Sequence, residues 1–256
     1  MNITRPYKLF LLGGYDLEML TIKQLLEGVH DCVVIDKQLK WDNAHLSEYQ
    51  DELQTYVNNN IYGIELQEDI TPPINYHRVD HHNDWDNKPS VLEQVAQLVD
   101  IQPNRYQQLV AANDKGYIPA MQQLSATVDE IADIRKRDRV AQGITAEEEM
   151  LGEKSISENL GRRGSLTIVK SLISHFSPIC DRLYPYQRLL VYNDFEWMYY
   201  GEGKENLIWR FANEIAQKKV FYGGGKNGYV GSVSHSFSKA EIDIIVEQII
   251  KEYGNI

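Results

Sequence analysis

Four short runs in the first eighty residues, three of them apolar and the last alternating between apolar and polar residues, each lead into an acidic residue. The first run, residues 7–12, is followed by Gly13-Gly14 and then by Asp16-Leu17-Glu18. The other runs are residues 32–35, 61–64 and 74–79, and the acids that follow them are Asp36, Glu65 and Asp80. Helical spacing of apolar residues follows the first two runs, and this alternation is typical of a parallel sheet covered by helices. The pattern predicts an α/β fold with acids at the carboxyl ends of strands, where such sheets bind ligands.

The last of these acids begins the tripeptide Asp80-His81-His82, and Asp114 follows a later apolar segment at residues 106–112. Carboxylate oxygens together with imidazole nitrogens suit Mn²⁺, Fe²⁺ or Zn²⁺. The alternative is a surface loop that happens to carry two histidines. The tripeptide therefore indicates a metal site only in combination with the other strand-end acids.

The starts of two helices carry polar residues with a structural explanation of their own. Asp16 and Glu18 precede a helix, and negative charge there is also favoured by the helix dipole alone. Ser90 and Glu93 have the spacing of a capping box at the start of a helix over residues 90–99. The first pair therefore has two interpretations, ligand or cap, and the second predicts a helix boundary.

The charge of the chain excludes some partners. The formal net charge is −11, whereas affinity for long nucleic acid or for an anionic membrane needs a basic surface. A small anionic substrate stays compatible, because a metal ion supplies positive charge locally. Cys32 and Cys180 lie far apart in apolar runs and are expected to be buried thiols. With no signal segment and no apolar run of membrane-spanning length, a cytoplasmic location is expected.

A composition shift near the middle of the chain predicts two domains. We expect a first domain at 1–145, a linker at 146–164 and a second domain at 165–256. The second domain is predicted to begin with a helix containing Leu166 and Ile173, and to contain a hairpin formed by residues 188–192 and 197–200.

A glycine-rich stretch in the second domain is the other candidate binding element. It follows an apolar strand and consists of Gly223, Gly224, Gly225, Lys226 and Asn227. Consecutive glycines expose backbone N–H groups to an anion, whereas the alternative is a flexible hairpin turn. The nearby aromatic residues that could stack on a base, or else pack in the core, are Trp197, Tyr199 and Tyr229.

The order of these features resembles the DHH phosphoesterase superfamily, which includes pyrophosphatases, exonucleases and enzymes that cleave short oligonucleotides. The resemblance covers both parts of the chain. It implies a mostly parallel, doubly wound α/β sheet of the DHH type, followed by a second, smaller α/β domain that resembles the DHHA1 domain. The glycine stretch, from Gly223 to Asn227, resembles the substrate-binding motif of that second domain.

The resemblance also implies a role for each candidate residue. Two ions per chain are implied, typically Mn²⁺, with Mg²⁺ or another divalent ion as the alternative. Asp16 would serve the first ion, and Glu18 the second. Glu65 would bridge both, with Asp36 as the alternative bridging acid. His81 and Asp114 would complete the second ion's ligands. His82 would lie near the substrate phosphate, and Asp80 would orient a histidine.

Three hypotheses for function follow. The first is a two-metal phosphoesterase acting on a small phosphorylated or nucleotide substrate, without long nucleic acid or membrane partners; a homodimer is compatible with it. The second is a nucleotide-binding or sensing module with a degenerate centre, because the first motif reads Asp16-Leu17-Glu18 where the family has Asp-x-Asp. The third is an interaction scaffold, with Trp85 and Trp197 as exposed interface residues.

Overall fold

The computed structural model describes residues 7–224 and 228–254. The chain divides into two compact units, Met1–Gly143 and Ile144–Ile256, which we call the N-unit and the C-unit. Of the predicted substrate-binding residues, Gly225, Lys226 and Asn227 lie outside the described residues.

The N-unit is built on a four-stranded parallel sheet. Its strands are β1 (Lys8–Leu12), β2 (Cys32–Ile35), β3 (Asn60–Ile64) and β4 (Tyr76–Val79). They lie in the order β2-β1-β3-β4, and each neighbouring pair is parallel. The four predicted runs are therefore neighbouring strands, and their carboxyl ends meet at one edge of the sheet.

Helices connect and cover these strands. They are α1 (Leu17–Glu27), α2 (Gln50–Thr55), α3 (Val91–Leu98), α4 (Arg105–Gln123) and α5 (Val128–Ala141). Ser90 accepts from the backbone N–H of Glu93, and the Glu93 carboxylate accepts from that of Ser90, so the predicted capping box is confirmed. Helix α4 is interrupted at Gly116 and Tyr117, whose backbones are not helical.

The two central strands, β1 and β3, are mostly buried because they are mostly apolar. Leu9, Leu11 and Ile61 pack with Leu46 and Tyr49 in one core cluster. The Tyr49 hydroxyl donates to the carbonyl of Leu12 at 2.5 Å, which satisfies a strand-end carbonyl inside the core. The cluster thus fixes the strand ends from which the candidate ligands emerge.

The C-unit contains a six-stranded mixed sheet. In chain order its elements are α6 (Ala146–Asn159), β5 (Leu160–Arg163), β6 (Leu166–Lys170), α7 (Ser177–Leu183), β7 (Arg188–Tyr192), β8 (Trp197–Gly201), α8 (Lys204–Arg210), α9 (Ala212–Ala216), β9 (Val220–Gly223), β10 (Tyr229–Ser232) and α10 (Lys239–Tyr253). The strand order is β5-β6-β7-β8-β10-β9, and only the β6–β7 pair is parallel. The predicted hairpin of residues 188–192 and 197–200 is confirmed.

Two expectations for the C-unit differ from the structure. The predicted helix at the start of the second domain is wrong, because Leu166–Lys170 is strand β6. Thr167, Ile168 and Val169 are β-branched and favour a strand, although their spacing also fits a helix. The segment 146–164, expected to be a linker, contains helix α6 and edge strand β5.

In the described part of the chain, none of the helices combines the length and the apolar character needed to cross a membrane. The α/β class and the division into a parallel sheet and a second, separate sheet agree with the sequence prediction.

Candidate metal centre

The ends of β1 and β3 approach each other closely beside the candidate ligands. A Cβ atom on Gly13 would lie 2.4 Å from the Ile64 carbonyl oxygen and 2.6 Å from that of Glu65. Only glycine fits this approach. The contact places the loop that carries Asp16 and Glu18 against the residue that follows β3.

Glu65 leaves β3 in the left-handed region of the backbone, with φ of 50°. Its N–H still donates to the Val79 carbonyl at 2.9 Å, which keeps the residue paired with β4. A non-glycine residue in this region costs about 1–3 kcal/mol and is most often found where function requires it. The conformation directs a buried carboxylate to the strand edge next to His81.

Four side chains converge at this edge. The ligand atoms of Glu18, Glu65, His81 and Asp114 all lie within 4.8 Å of one another. His81 Nε2 lies 2.6 Å from Asp114 Oδ2 and 3.3 Å from Glu65 Oε1. Ligands on opposite sides of a divalent ion lie about 4–5 Å apart, so the spread of these atoms matches that of a single ion's ligands.

Unsatisfied carboxylate oxygens test whether a cation fits here. Among the described residues, Oε2 of Glu65 and Oε2 of Glu18 are buried and accept no hydrogen bond, and Oε1 of Glu65 has only the two histidine nitrogens near it, each 3.3 Å away. Buried charges of this kind are normally paired or bound to a metal. Three carboxylates and one imidazole form a ligand set that suits Mn²⁺, Fe²⁺ or Zn²⁺. These residues therefore fit a divalent cation.

Asp16 lies beside the cluster but is not a member of it. Its carboxylate accepts from the Met19 N–H at 2.9 Å and so caps helix α1. Burial raises the pKa of Asp16 well above its usual value, and the charge of Asp114 raises it further. The capping interpretation thus holds in the structure, and Asp16 also lies close enough to feel the acids of the cluster.

The other Oε atom of Glu18 is fixed by a helix that starts elsewhere in the chain. Oε1 accepts from the N–H of Leu92, in the first turn of α3, at 2.9 Å. Burial raises the pKa of Glu18 well above its usual value, and the charges of Asp114 and Glu65 raise it further. The carboxylate is therefore held in place with one oxygen still available to a cation.

His82 and Asp80 form a pair at the exposed side of the cluster. Asp80 Oδ1 accepts from the His82 backbone N–H at 2.8 Å and lies 3.3 Å from His82 Nδ1. Nδ1 is also 3.3 Å from Glu65 Oε1, and about half of the His82 side chain is exposed. A second, overlapping triad of Glu65, His81 and His82 could also hold a cation. Asp80 thus orients His82, which faces solvent beside the buried ligands.

Asp36, the alternative bridging acid, lies outside both groups of potential ligands. Its Oδ2 is 3.1 Å from Lys23 Nζ, and its Oδ1 accepts from the N–H of Gln38. The carboxylate already has partners, whereas that of Glu65 has an unsatisfied oxygen. The structure therefore brings Glu65, and not Asp36, to His81.

The two acids give a matched pair of variants. We expect Glu65→Gln to weaken Mn²⁺ binding at least about 100-fold, since the loss of a residue that only supports a ligand already costs about 10–100-fold. Asp36→Asn should leave the affinity unchanged, because Asp36 lies outside both groups of potential ligands. Titration calorimetry with MnCl₂ measures both. An equal loss of affinity in the two variants would contradict the assignment.

The protonation of His81 predicts how metal binding depends on pH. Burial lowers the pKa of His81, but the carboxylates of Asp114 and Glu65 outweigh it and raise the pKa to about 9. Below that pH the imidazole carries a proton, which a metal must displace. We expect the Mn²⁺ affinity to fall about tenfold per pH unit from pH 8 to pH 6.

Calorimetry at pH 7 in PIPES and in Tris, which differ in ionisation enthalpy, measures the proton released to the buffer. About one proton per ion is expected if His81 is the only histidine ligand. No release would contradict protonated His81. A second proton would come from His82, whose pKa is about 10, or from Glu18, whose pKa burial raises.

One buried polar network near the centre was not predicted from the sequence. Arg135 donates to Asn113 Oδ1 at 2.9 Å and to Asp138 Oδ2 at 2.6 Å, and its guanidinium stacks on the ring of Tyr117. Asn113 directly precedes Asp114, so the network fixes α4 where it delivers that ligand. The only sequence signal is an Arg–Asp pair three residues apart on α5, which is ordinary for an exposed helix face.

The described part of the glycine stretch lies at the end of strand β9 in the C-unit. Gly223 ends β9, Gly224 has φ of 72°, and Lys204 Nζ donates to the Gly223 carbonyl at 3.0 Å. Trp197 and Tyr199 are fully buried in the core. The interpretation of these two aromatics as base-stacking residues, and that of Trp197 as an exposed interface residue, is therefore wrong.

Comparison with known proteins identifies the fold. No family model and no curated protein sequence matches this chain. The DHH domain of a protein from a family of ribosomal proteins matches with a TM-score of 0.53 and 10% identity, over 98% of this chain and 88% of that chain. This chain has the DHH fold. The resemblance inferred from the sequence is thereby confirmed at the level of fold.

Two further solved structures match less closely. A pGpG-specific phosphodiesterase, PggH from Vibrio cholerae, has a TM-score of 0.49 and 13% identity, over 97% of this chain and 98% of that chain. The exonuclease RecJ bound to manganese has a TM-score of 0.43 and 10% identity, over 96% of this chain and 90% of that chain. In this DHH fold the candidate ligands lie at the carboxyl edge of the parallel sheet.

Proposed function

We propose that this chain is a metal-dependent phosphoesterase that hydrolyses a phosphoester or phosphodiester in a small nucleotide or a short oligonucleotide. The observation that carries the proposal is the convergence of Glu18, Glu65, His81 and Asp114, in which one buried carboxylate oxygen of Glu18 and one of Glu65 have no partner among the described residues. A structural cluster of acids would be expected to pair with lysine or arginine. This cluster faces a histidine pair instead, at the edge where α/β sheets bind ligands.

The cluster would hold the metal through Glu18, Glu65, His81 and Asp114, with Asp16 beside them for a second ion. Bound divalent ions supply an activated water and neutralise charge on a phosphoryl group. The protein's own contribution is to hold these carboxylates in place before substrate arrives. The Leu92 N–H does this for Glu18, and the strand-end backbone of Glu65 does it for the central ligand.

His82 is suited to contact the phosphate. Its Nδ1 faces Asp80 and Glu65, so the ring orientation is fixed, and the half-exposed side chain leaves Nε2 without a partner among the described residues. A protonated imidazole in this position donates a charge-assisted hydrogen bond to a phosphate oxygen. Asp80 would then act as a positioning residue for His82.

The net charge restricts the substrate. A chain with a charge of −11 repels a long polyanion except where a bound cation offsets it locally. We therefore favour a small substrate that has its phosphate at the metal centre and few other charged groups.

The test is Mn²⁺-dependent hydrolysis measured on a panel of bis(p-nitrophenyl) phosphate, dinucleotides, pyrophosphate and long single-stranded DNA. Activity is expected on the first two and not on long DNA. Asp114→Asn is the control, because it removes one ligand charge while keeping a residue of the same shape. If no substrate is turned over faster than by this variant, the phosphoesterase proposal fails.

A nucleotide-binding or sensing module is the second candidate, and the position of Asp16 favours it. Because Asp16 caps α1 and lies outside the group of converging ligands, a second ion has fewer ligands than the first. A protein of this kind would be stabilised by a nucleotide without turnover and without bound metal. Metal analysis of the purified protein, together with a thermal shift in the presence of AMP, distinguishes it.

A further inference from the structure

The cluster has an aromatic neighbour that the metal chemistry does not use. Trp41 begins a 3₁₀ turn, Trp41–Asn43, in the loop between β2 and α2. The centroid of its ring lies 6.5 Å from that of His82, and the two rings meet edge to face at 64°. The indole therefore lies next to His82, at the edge of the candidate metal centre.

The indole rests on the backbone of Gly14. A Cβ atom built on Gly14 would lie 2.1, 2.2 and 2.3 Å from the indole atoms Cδ2, Cε2 and Cε3. Three nearly equal distances to adjacent ring atoms mean that the glycine lies over the face of the ring. The absence of a side chain at Gly14 is what allows the indole to lie there, directly beside the loop that carries Asp16.

Much of the Trp41 surface stays open. The residue is 48% exposed, whereas Trp197 is fully buried in the C-unit core. Trp85 is covered by the guanidinium of Arg78 at 4.4 Å, but no cation lies over Trp41 among the described residues. An indole supported on one face and open elsewhere is suited to stack on another flat ring.

We propose that Trp41 is the stacking platform for the base of a nucleotide whose phosphate lies at the His82 edge of the cluster. The proposal rests on the phosphoesterase function for the position of the phosphate, and it adds the residue that would recognise the base. Stacking accepts any base, because every base has a π-face. Trp41 thus distinguishes nucleotides from sugar phosphates and pyrophosphate, and does not select one base.

Binding of two probes to the full chain tests this proposal. 5′-AMP has the phosphate and the base, and ribose 5-phosphate has the phosphate without the base. In the presence of MnCl₂, Trp41→Ala should weaken AMP binding roughly 5- to 150-fold, the usual effect of removing one stacking partner. The variant should leave ribose 5-phosphate binding unchanged. Trp41→Phe should retain most of the AMP affinity.

Trp209→Ala is the matched control, because Trp209 is 83% exposed and lies in the C-unit on helix α8. It should not alter the affinity for either probe. AMP should also quench the tryptophan fluorescence of the wild type, and this quenching should be lost in Trp41→Phe. Thermal unfolding of each variant shows whether the fold is retained.

The outcomes separate this proposal from the phosphoesterase proposal. If no substrate is hydrolysed but AMP binding still depends on Trp41, the catalytic proposal fails and the stacking site stands. If Trp41→Ala weakens both probes equally, Trp41 supports the loop and the stacking proposal is overturned. The stacking proposal is also overturned if Trp41→Ala binds AMP as tightly as the wild type, which is the result expected if Trp41 instead contacts a protein partner. It is likewise overturned if the wild type binds neither probe.

Discussion

His81→Ala is expected to lose both tight Mn²⁺ binding and turnover, whereas His82→Ala should retain the metal and lose turnover. His81 is buried, with Nε2 2.6 Å from Asp114 and 3.3 Å from Glu65, at the centre of the four converging ligands. Its removal should weaken Mn²⁺ binding at least about 100-fold, beyond the loss seen when a supporting residue is removed. His82 is half-exposed beside these ligands.

Removal of His82 should lower kcat by about 10²–10³-fold, the usual cost of removing one hydrogen-bond donor to the reacting group, with little change in Mn²⁺ affinity. The measurements are Mn²⁺ titration calorimetry and steady-state kinetics on bis(p-nitrophenyl) phosphate. His77→Ala is the control, since His77 lies on β4 four residues before His81 and stacks on Tyr62 away from the cluster. If His82→Ala loses the metal as fully as His81→Ala, then His82 is a ligand, as the overlapping triad would allow.

Glu18→Gln is expected to stabilise the metal-free protein and to remove most of the stabilisation that Mn²⁺ gives to the wild type. Burial and the charges of Asp114 and Glu65 raise the pKa of Glu18. A carboxyl whose pKa is raised on folding destabilises the fold when ionised. This destabilisation is absent below the unfolded pKa of about 4.3 and increases as the pH rises through the folded pKa.

A glutamine keeps the shape and still accepts from the Leu92 N–H, but carries no charge. We expect the metal-free variant to be about 1 kcal/mol or more stable than the wild type at pH 8, and the difference to disappear near pH 4. Saturating Mn²⁺ should stabilise the wild type by about 4 kcal/mol at 1,000 times Kd, a shift in Tm of roughly 10 °C, and the variant far less.

Thermal unfolding with and without MnCl₂, at both pH values, measures these effects. Glu27→Gln is the control, because Glu27 is an exposed acid on the same helix, α1. Its stability and its Mn²⁺ response should match those of the wild type. If the metal-free Glu18→Gln protein is less stable than the wild type, this contradicts the view that the charges of the cluster destabilise the fold in the absence of a cation.

Local signals in the sequence were sufficient to predict the parallel sheet and the start of α3. Apolar runs that end at glycine or an acid mark buried strands whatever their partners are, and Ser90 with Glu93 forms a cap from neighbouring residues only. The start of the second domain could not be predicted in this way. Leu166, Ile168 and Val169 fit a helical or an extended spacing, and pairing with β7 decides between the two.

The candidate site could also be predicted only in part from the sequence. That acids and histidines lie at strand ends follows from the order of the motifs. That Glu65 rather than Asp36 meets His81 follows from the strand order, in which β3 neighbours β4 whereas β2 lies at the opposite edge of the sheet. The place of Trp41 could not be predicted either, since its neighbours Gly14 and His82 are distant in sequence, and a tryptophan in a polar loop gives no sign of what it contacts.

The left-handed backbone of Glu65 places two opposed demands on one position. Glycine would adopt φ of 50° at the lowest conformational cost, but only an acid supplies the carboxylate at the centre of the cluster. The residue that related proteins have at this position should therefore indicate whether selection for the carboxylate has been maintained. In descendants that lost the metal, drift toward glycine would relax the backbone, whereas lineages that keep an acid here are retaining a costly residue for its chemistry.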